Sequence, residues 1–168
     1  GVVHLVHQGI MKITLFFCAG NYAETLGIHK ISEMNGAGRR MPWTSIAFSV
    51  AAFGMMGAPL TAGYISKLYL DQGAEMAEMA WVSWMLTASS LLNAAYFLPI
   101  LYRLWFVNQP QKWLQERIRA RGRWETHGLL LIPPVVTAFA TLGAGIFADT
   151  GWSPLFWVKL IAEMEYLP

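Results

Sequence analysis

The apolar positions of this chain fall in blocks too long for amphipathic helices on a soluble core. Gly1 to about Leu26 reads as a first helix, apolar from Ile13 to Ala19, and residues 79–107 and 128–148 read as two more. Runs of this kind match a hydrocarbon core of about 30 Å, which takes about 20 helical residues to cross. Met41-Pro42-Trp43 marks another helix start, with proline in the first turn. Residues 43–57 and 59–71 are two shorter arms around a break at Gly57-Ala58-Pro59, with Gly63 just beyond it. Proline lacks an amide donor and disfavours helix at the residue before it, and glycine weakens the helix on either side. The pattern predicts an all-α integral membrane fold with about five transmembrane helices, one discontinuous at Gly57-Pro59.

The polar segments between the blocks are short. Residues 27–40 hold His29, Lys30, Glu33, Arg39 and Arg40, and residues 72–78 form a small acidic connection. Residues 108–127 carry Lys112, Arg117, Arg119, Arg121 and Arg123 against Glu116 and Glu125. Their Trp113-Leu114-x-x-x-Ile118 spacing predicts an amphipathic helix on the membrane surface. The tail, 149–168, with Trp152, Phe156, Trp157, Lys159, Glu163 and Glu165, predicts a second one. Pro99 predicts a kink, and Pro133-Pro134 lies near the start of the last span. No soluble domain boundary appears, so 1–168 reads as a single membrane domain. Gly1 already lies inside an apolar run, without an initiator Met or a basic leader, so the chain is expected to be part of a longer protein.

Composition agrees with a bilayer as solvent. Apolar residues make up 55% of the chain and charged ones 13%, against about 25% charged in ordinary globular domains. Mean hydropathy is +0.40. All eight tryptophans fall at or near block ends, as an interfacial belt places them. A net charge of +2 without a basic patch interleaved with aromatics argues against a nucleic-acid partner. Cys18 is the only cysteine, which excludes an internal disulfide or a CxxC site. No nucleophile–base pair, metal cluster or phosphate loop is visible, so no catalytic site, metal or cofactor is expected.

The five basic residues of 108–127 make that loop cytoplasmic by the positive-inside rule and put 72–78 outside. Residues 42–72 as one unbroken helix would extend about 45 Å, too long for a single crossing. Two short spans place Arg39 and Arg40 outside, whereas one broken span keeps them inside. Both readings stand at this level.

The candidate chemistry is a set of protonatable groups in apolar helices. His4, Gln8 and Lys12 are spaced i, i+4, i+8 along one helix face, with His7 beside them. Histidine changes charge near neutral pH, and a lysine deep among apolar groups is costly to keep charged. Lys67 sits on the arm after the break, where an unpaired charge costs on the order of 3 kcal/mol or more in hydrocarbon. It must face protein, water or a counter-charge, and mid-membrane breaks are where transporters build ion sites. Ser66, Ser89, Ser90 and Asn93 are candidate cavity-lining residues. Each has a plainer reading: the histidines as satisfied polar residues, Lys12 and Arg103 as snorkelling anchors, the serines and Asn93 as helix-packing residues, the methionines as filler.

Several stretches carry a family resemblance. His4-Leu5-Val6-His7-Gln8-Gly9-Ile10-Met11-Lys12, followed by Leu15-Phe16-Phe17-Cys18-Ala19-Gly20, resembles a helix of antiporter-like subunits. These occur in respiratory complex I, membrane-bound hydrogenases and multisubunit cation/proton antiporters. Residues 31–44, Gly63-Tyr64-x-Ser66-Lys67 and the stretch Ser89 to Ile100 resemble most closely the D-type member of the multisubunit monovalent cation/proton antiporter group. The resemblance implies the C-terminal part of a fourteen-helix core, with Lys12 as a central-axis lysine and Lys67 at a channel exit. It also implies two spans for 42–72. Gln8 departs from the family, which has a second histidine there; glutamine takes no proton, so His7 or a water would have to bridge.

The resulting expectation is a proton-translocating subunit of a sodium/proton antiporter, with a path through His4, Gln8, Lys12 and Lys67 in a multi-pass protein of the cell inner membrane. Its partners would be other subunits of a membrane complex, the lipid bilayer, H⁺ and Na⁺. The alternatives are the homologous subunit of an NADH:quinone oxidoreductase or hydrogenase complex, and a scaffold that transports nothing.

Overall fold

A computed structural model of the chain describes residues 2–108, 113, 125–148, 150–151 and 153–166, with the side chains of 162, 163, 165 and 166 outside the description. The expected surface helix in 108–127, with its basic residues, therefore lies outside the described residues, as do Trp124, Asp149, Trp152 and the Glu163 and Glu165 side chains.

Among the described residues seven α-helices and one 3₁₀ turn follow one another: α1 Val2–Leu26, a 3₁₀ turn Ile31–Glu33, α2 Ala37–Arg40, α3 Pro42–Met56, α4 Ala62–Met76, α5 Ala80–Trp105, α6 Gly128–Ile146 and α7 Pro154–Tyr166. The five expected apolar helices are α1, α3, α4, α5 and α6. Three of them, α1, α5 and α6, are long and apolar enough to cross a bilayer, and α3 is a shorter apolar helix. Helix α4 runs on to Met76, so much of the expected 72–78 connection is helical. Helix α5 continues through Pro99 to Trp105.

The interior mixes an apolar core with buried hydroxyls, and much of the outer surface is apolar as well. Thr14, Thr25, Thr44, Ser45 and Thr141 are fully buried, while Phe16, Trp84, Leu91, Leu92 and Phe139 are exposed. So many exposed large apolar side chains suit lipid rather than water, and the interior hydroxyls bond one another. Helices α1, α3 and α6 pack most closely. The Thr14 and Thr137 hydroxyls meet at 2.8 Å, and Tyr22 Oη meets Ser45 Oγ at 2.7 Å. Pro134 has no amide for the Leu130 carbonyl one turn earlier, and Asn21 Nδ2 donates to it instead at 2.9 Å.

The two arms run in the same direction. Against α1, the successive contacts of α3 and α4 are Ser45 with Tyr22, Gly54 with Met11, Ala62 with His7 and Ser66 with His4. Against α5 they are Phe48 with Phe97, Lys67 with Ser90 and Asp71 with Ser83. Partner numbers fall steadily on both neighbours, so α3 and α4 make one interrupted crossing. The two separate spans implied by the resemblance are corrected here: among the described residues the five apolar helices are laid out as four lengths of the bundle, with α3 and α4 in line. As a result Arg39, Arg40 and Arg103 gather at one end of the bundle with His29 and Lys30. Asp71, Glu75 and Glu78 lie at the other.

Candidate functional site

The site is built on the break. Helix α3 ends at Gly57, whose φ of 86° is a left-handed cap open to glycine without strain. Leu60 follows with φ 69°, and Thr61 starts α4 by accepting from the Tyr64 amide and donating to the Ala58 carbonyl. The helix ends approach so closely that a Cβ on Gly63 would stand 1.9 Å from the Gly54 carbonyl oxygen.

Ending α3 in mid-bundle leaves its last carbonyls without amide partners, at the negative end of the helix dipole. Lys67 takes them. Its Nζ donates to the Met55 and Met56 carbonyls at 3.2 and 3.4 Å and to Ser90 Oγ at 2.6 Å. The stem passes over Gly57, where a Cβ would lie 3.2 Å from Lys67 Cδ. Lys67 is half-buried and faces protein rather than lipid.

On the neighbouring face of α4, Ser66 Oγ donates to the Gly63 carbonyl at 3.2 Å and stands 3.0 Å from His4 Nδ1. The Ser66 hydroxyl is thus within reach of both the Gly63 carbonyl and the His4 ring, and the tautomer of His4 sets which of the pair donates. His7 is fully buried, its Nδ1 donating to the Ala62 carbonyl at 2.8 Å while Nε2 has no partner among the described residues. A buried ring nitrogen of this kind can take up or give a proton only through water or a rearrangement.

Not all expected residues converge. The buried face of α1 is His7, Met11, Thr14, Cys18, Asn21 and Thr25, not the line His4, Gln8, Lys12. Positions eight apart are turned by about 80° on a helix of 3.6 residues per turn. His4 therefore meets α4, Gln8 is half-buried, and Lys12 is exposed. Lys12 lines a groove of about 350 Å³ between α1 and α5, with Leu15, Phe16, Phe48, Tyr96 and Phe97. Ser90 and Ser66 reach the site. Ser89 is exposed, and Asn93 donates to the Ser89 carbonyl within α5. Among the described residues no group of three or more His, Cys, Asp or Glu could hold a metal ion.

Glu125 is a buried polar residue that no local pattern pointed to. It is 6% exposed, and its carboxylate accepts from the Trp43 and Thr44 amides at 2.7 and 2.6 Å and from the Thr44 hydroxyl. The signal was at the other end of the contact. Met41 at the N-cap of α3 offers no side-chain acceptor, so the first amides need one from elsewhere. Outside the membrane, Glu33 accepts from the His29 and Lys30 amides, which hold its carboxyl below the ordinary glutamate range. Trp113, from the 108–127 segment, donates to the Glu33 carbonyl at 3.1 Å.

Residues 1–93 match the family described as NADH:quinone oxidoreductase/Mrp antiporter, TM. The chain is 34% identical over 154 residues to NADH-quinone oxidoreductase subunit N of Desulforudis audaxviator, covering 88% of this chain and 30% of that protein. It is 28% identical over 155 residues to F(420)H(2) dehydrogenase subunit L of Methanosarcina mazei, covering 89% and 22%. It is 27% identical over 144 residues to NADH-ubiquinone oxidoreductase chain 5 of Metridium senile, covering 84% and 23%. The chain thus spans less than a third of the length of these relatives. They are named as parts of redox enzymes. With a match that takes in α1, the whole interrupted crossing and the start of α5, this chain belongs to the NADH:quinone oxidoreductase/Mrp antiporter transmembrane family.

Proposed function

We propose that the chain is part of a proton-translocating membrane subunit of a redox-driven complex of the NADH:quinone oxidoreductase type. The relatives' names support this over a subunit of a sodium/proton antiporter, the reading that residues 31–44 and 63–67 favour. The observation that carries it is the Lys67 ammonium at the interrupted crossing, held by two helix-end carbonyls and a serine. These acceptors stabilise the charged amine, and a small shift of α4 against α3 withdraws them together. Proton affinity at Lys67 then follows the geometry of the break. His4, Ser66 and water bring the proton to α4, and Lys12 serves the groove side.

The redox chemistry belongs to partner subunits, and the chain brings no cofactor of its own. The end with Arg39, Arg40, Arg103 and the 108–127 loop faces the cytoplasm, and the acidic end faces out, in a cell inner membrane. Lys67→Ala and Lys12→Ala in the full-length protein test the reading. Proton uptake into inverted vesicles is measured beside electron transfer, and Lys67→Ala should lower uptake tenfold or more. Wild-type uptake in both variants refutes transport and leaves the scaffold. Sodium-dependent collapse of a pH gradient without redox partners would instead favour the antiporter.

A further inference from the structure

Beyond Lys67, α4 continues toward the acidic end of the bundle and carries one more ionisable group on the side facing α5. Asp71 lies one turn after Lys67, at the i, i+4 spacing that sets Cβ atoms about 5–6 Å apart. Lys67 is bonded to Ser90 and Asp71 accepts from Ser83, two serines seven residues apart on α5 and so on one face of it. Two independent side-chain contacts thus register the helices along a polar strip leading from the break to the outer end.

Asp71 is half-buried and stands about 14 Å along the axis from the first residue of α4. The charged groups around it are Lys67 and Glu75 one turn either side, Glu78 in the connection, and Lys159 of α7, which lies 5.0 Å from the Tyr69 ring centroid. Helix α5 faces it with the uncharged Ser83.

We propose that Asp71 is the proton acceptor that follows Lys67 on the path between the break and the outer surface. This rests on the proton-translocating reading above. The two serines stand about 10 Å apart along α5, so the transfer runs through a chain of waters: an N–H bond of the Lys67 ammonium breaks, each water takes one proton and gives one on, and an O–H bond forms on the Asp71 carboxylate. A neutral amine and a carboxylic acid remain. The acid then loses its proton to water at the acidic end, and the same steps in reverse load the lysine from outside. Ser83 holds the carboxylate by donating to one oxygen, which leaves the other to receive the proton.

The full-length complex in inverted vesicles tests this. Asparagine still accepts from Ser83 but takes no proton, so Asp71→Asn separates the structural tie from the chemistry. Pumping should fall tenfold or more in Asp71→Asn at normal assembly, and the H₂O/D₂O rate ratio of the residual activity should rise, because the missing acceptor makes proton transfer limiting. Asp71→Glu keeps the acid and should retain at least a third of the wild-type rate. It decides the matter if the asparagine variant fails to assemble, since its loss of pumping at normal assembly overturns the proposal. Wild-type pumping in Asp71→Asn while Lys67→Ala is inactive also overturns it, leaving the transport reading intact. Wild-type pumping in both variants removes that reading itself.

Discussion

Gly63→Ala is the sharpest perturbation of the break. A Cβ there would meet the Gly54 carbonyl oxygen at 1.9 Å and its carbon at 2.8 Å. Both groups are backbone, so no rotamer relieves the overlap. The end of α3 and the start of α4 must part by more than about 1 Å to restore an ordinary contact. Lys67 moves with α4, and its 3.2 Å bond to the Met55 carbonyl then opens beyond hydrogen-bonding range. Overpacking of this kind costs about 1–3 kcal/mol. The unfolding midpoint should fall accordingly. Gly73→Ala is the matched control in the same helix, because a Cβ there meets nothing within 4 Å. Alanine is the better helix former by about 1 kcal/mol, so that variant should be unchanged or slightly more stable. Thermal unfolding of the purified full-length protein and proton uptake in vesicles read both effects. A Gly63→Ala variant with wild-type stability and uptake would refute the close approach and the dependence of Lys67 on it.

Three further outcomes follow from the contacts. Glu125→Ala leaves the Trp43 and Thr44 amides without their acceptor and should cost about 1–3 kcal/mol in thermal unfolding. Asn21→Leu strands the Leu130 carbonyl at a similar cost of about 1–3 kcal/mol. In a Pro134→Ala background the helix regains an amide for that carbonyl, so the same change should cost less, and a double-mutant cycle measures the difference. For Glu33, a depressed carboxyl contributes stability above the ordinary glutamate value, about pH 4.3, and loses it as pH falls through the lower folded value. The protection of the His29 and Lys30 amides, their hydrogen exchange relative to an unstructured chain at the same pH, should therefore be high at neutral pH and fall in acid. In Glu33→Ala it should be low throughout.

Residue 7 shows how much depended on which way α1 faces. Helical spacing put His4, Gln8 and Lys12 near one line, and polar residues in an apolar helix invite the inference that they point inward together. The interior instead took the adjacent stripe, His7, Met11 and Thr14, because the small residues Gly54 and Gly63 offer Met11 a close seat there. Rotation about a helix axis is decided by neighbours distant in sequence, and α1 has α3, α4 and α6 to satisfy at once. Glu125 was hidden for the same reason. Read locally it is one charge in a basic loop, and only the long-range pairing brings it to the start of α3.

By itself the sequence determined the solvent, the helices and the break. Those depend on local physics: the free energy of putting apolar blocks in lipid, the missing amide of Pro59 and the open φ of Gly57. It also placed a lysine on the arm after the break. Tertiary structure decided that the two arms form one crossing, that Lys67 caps the helix preceding it, and that Ser90 rather than Ser89 or Asn93 meets the amine. Each of these turns on the direction and rotation of whole helices against one another, which no window of the chain encodes.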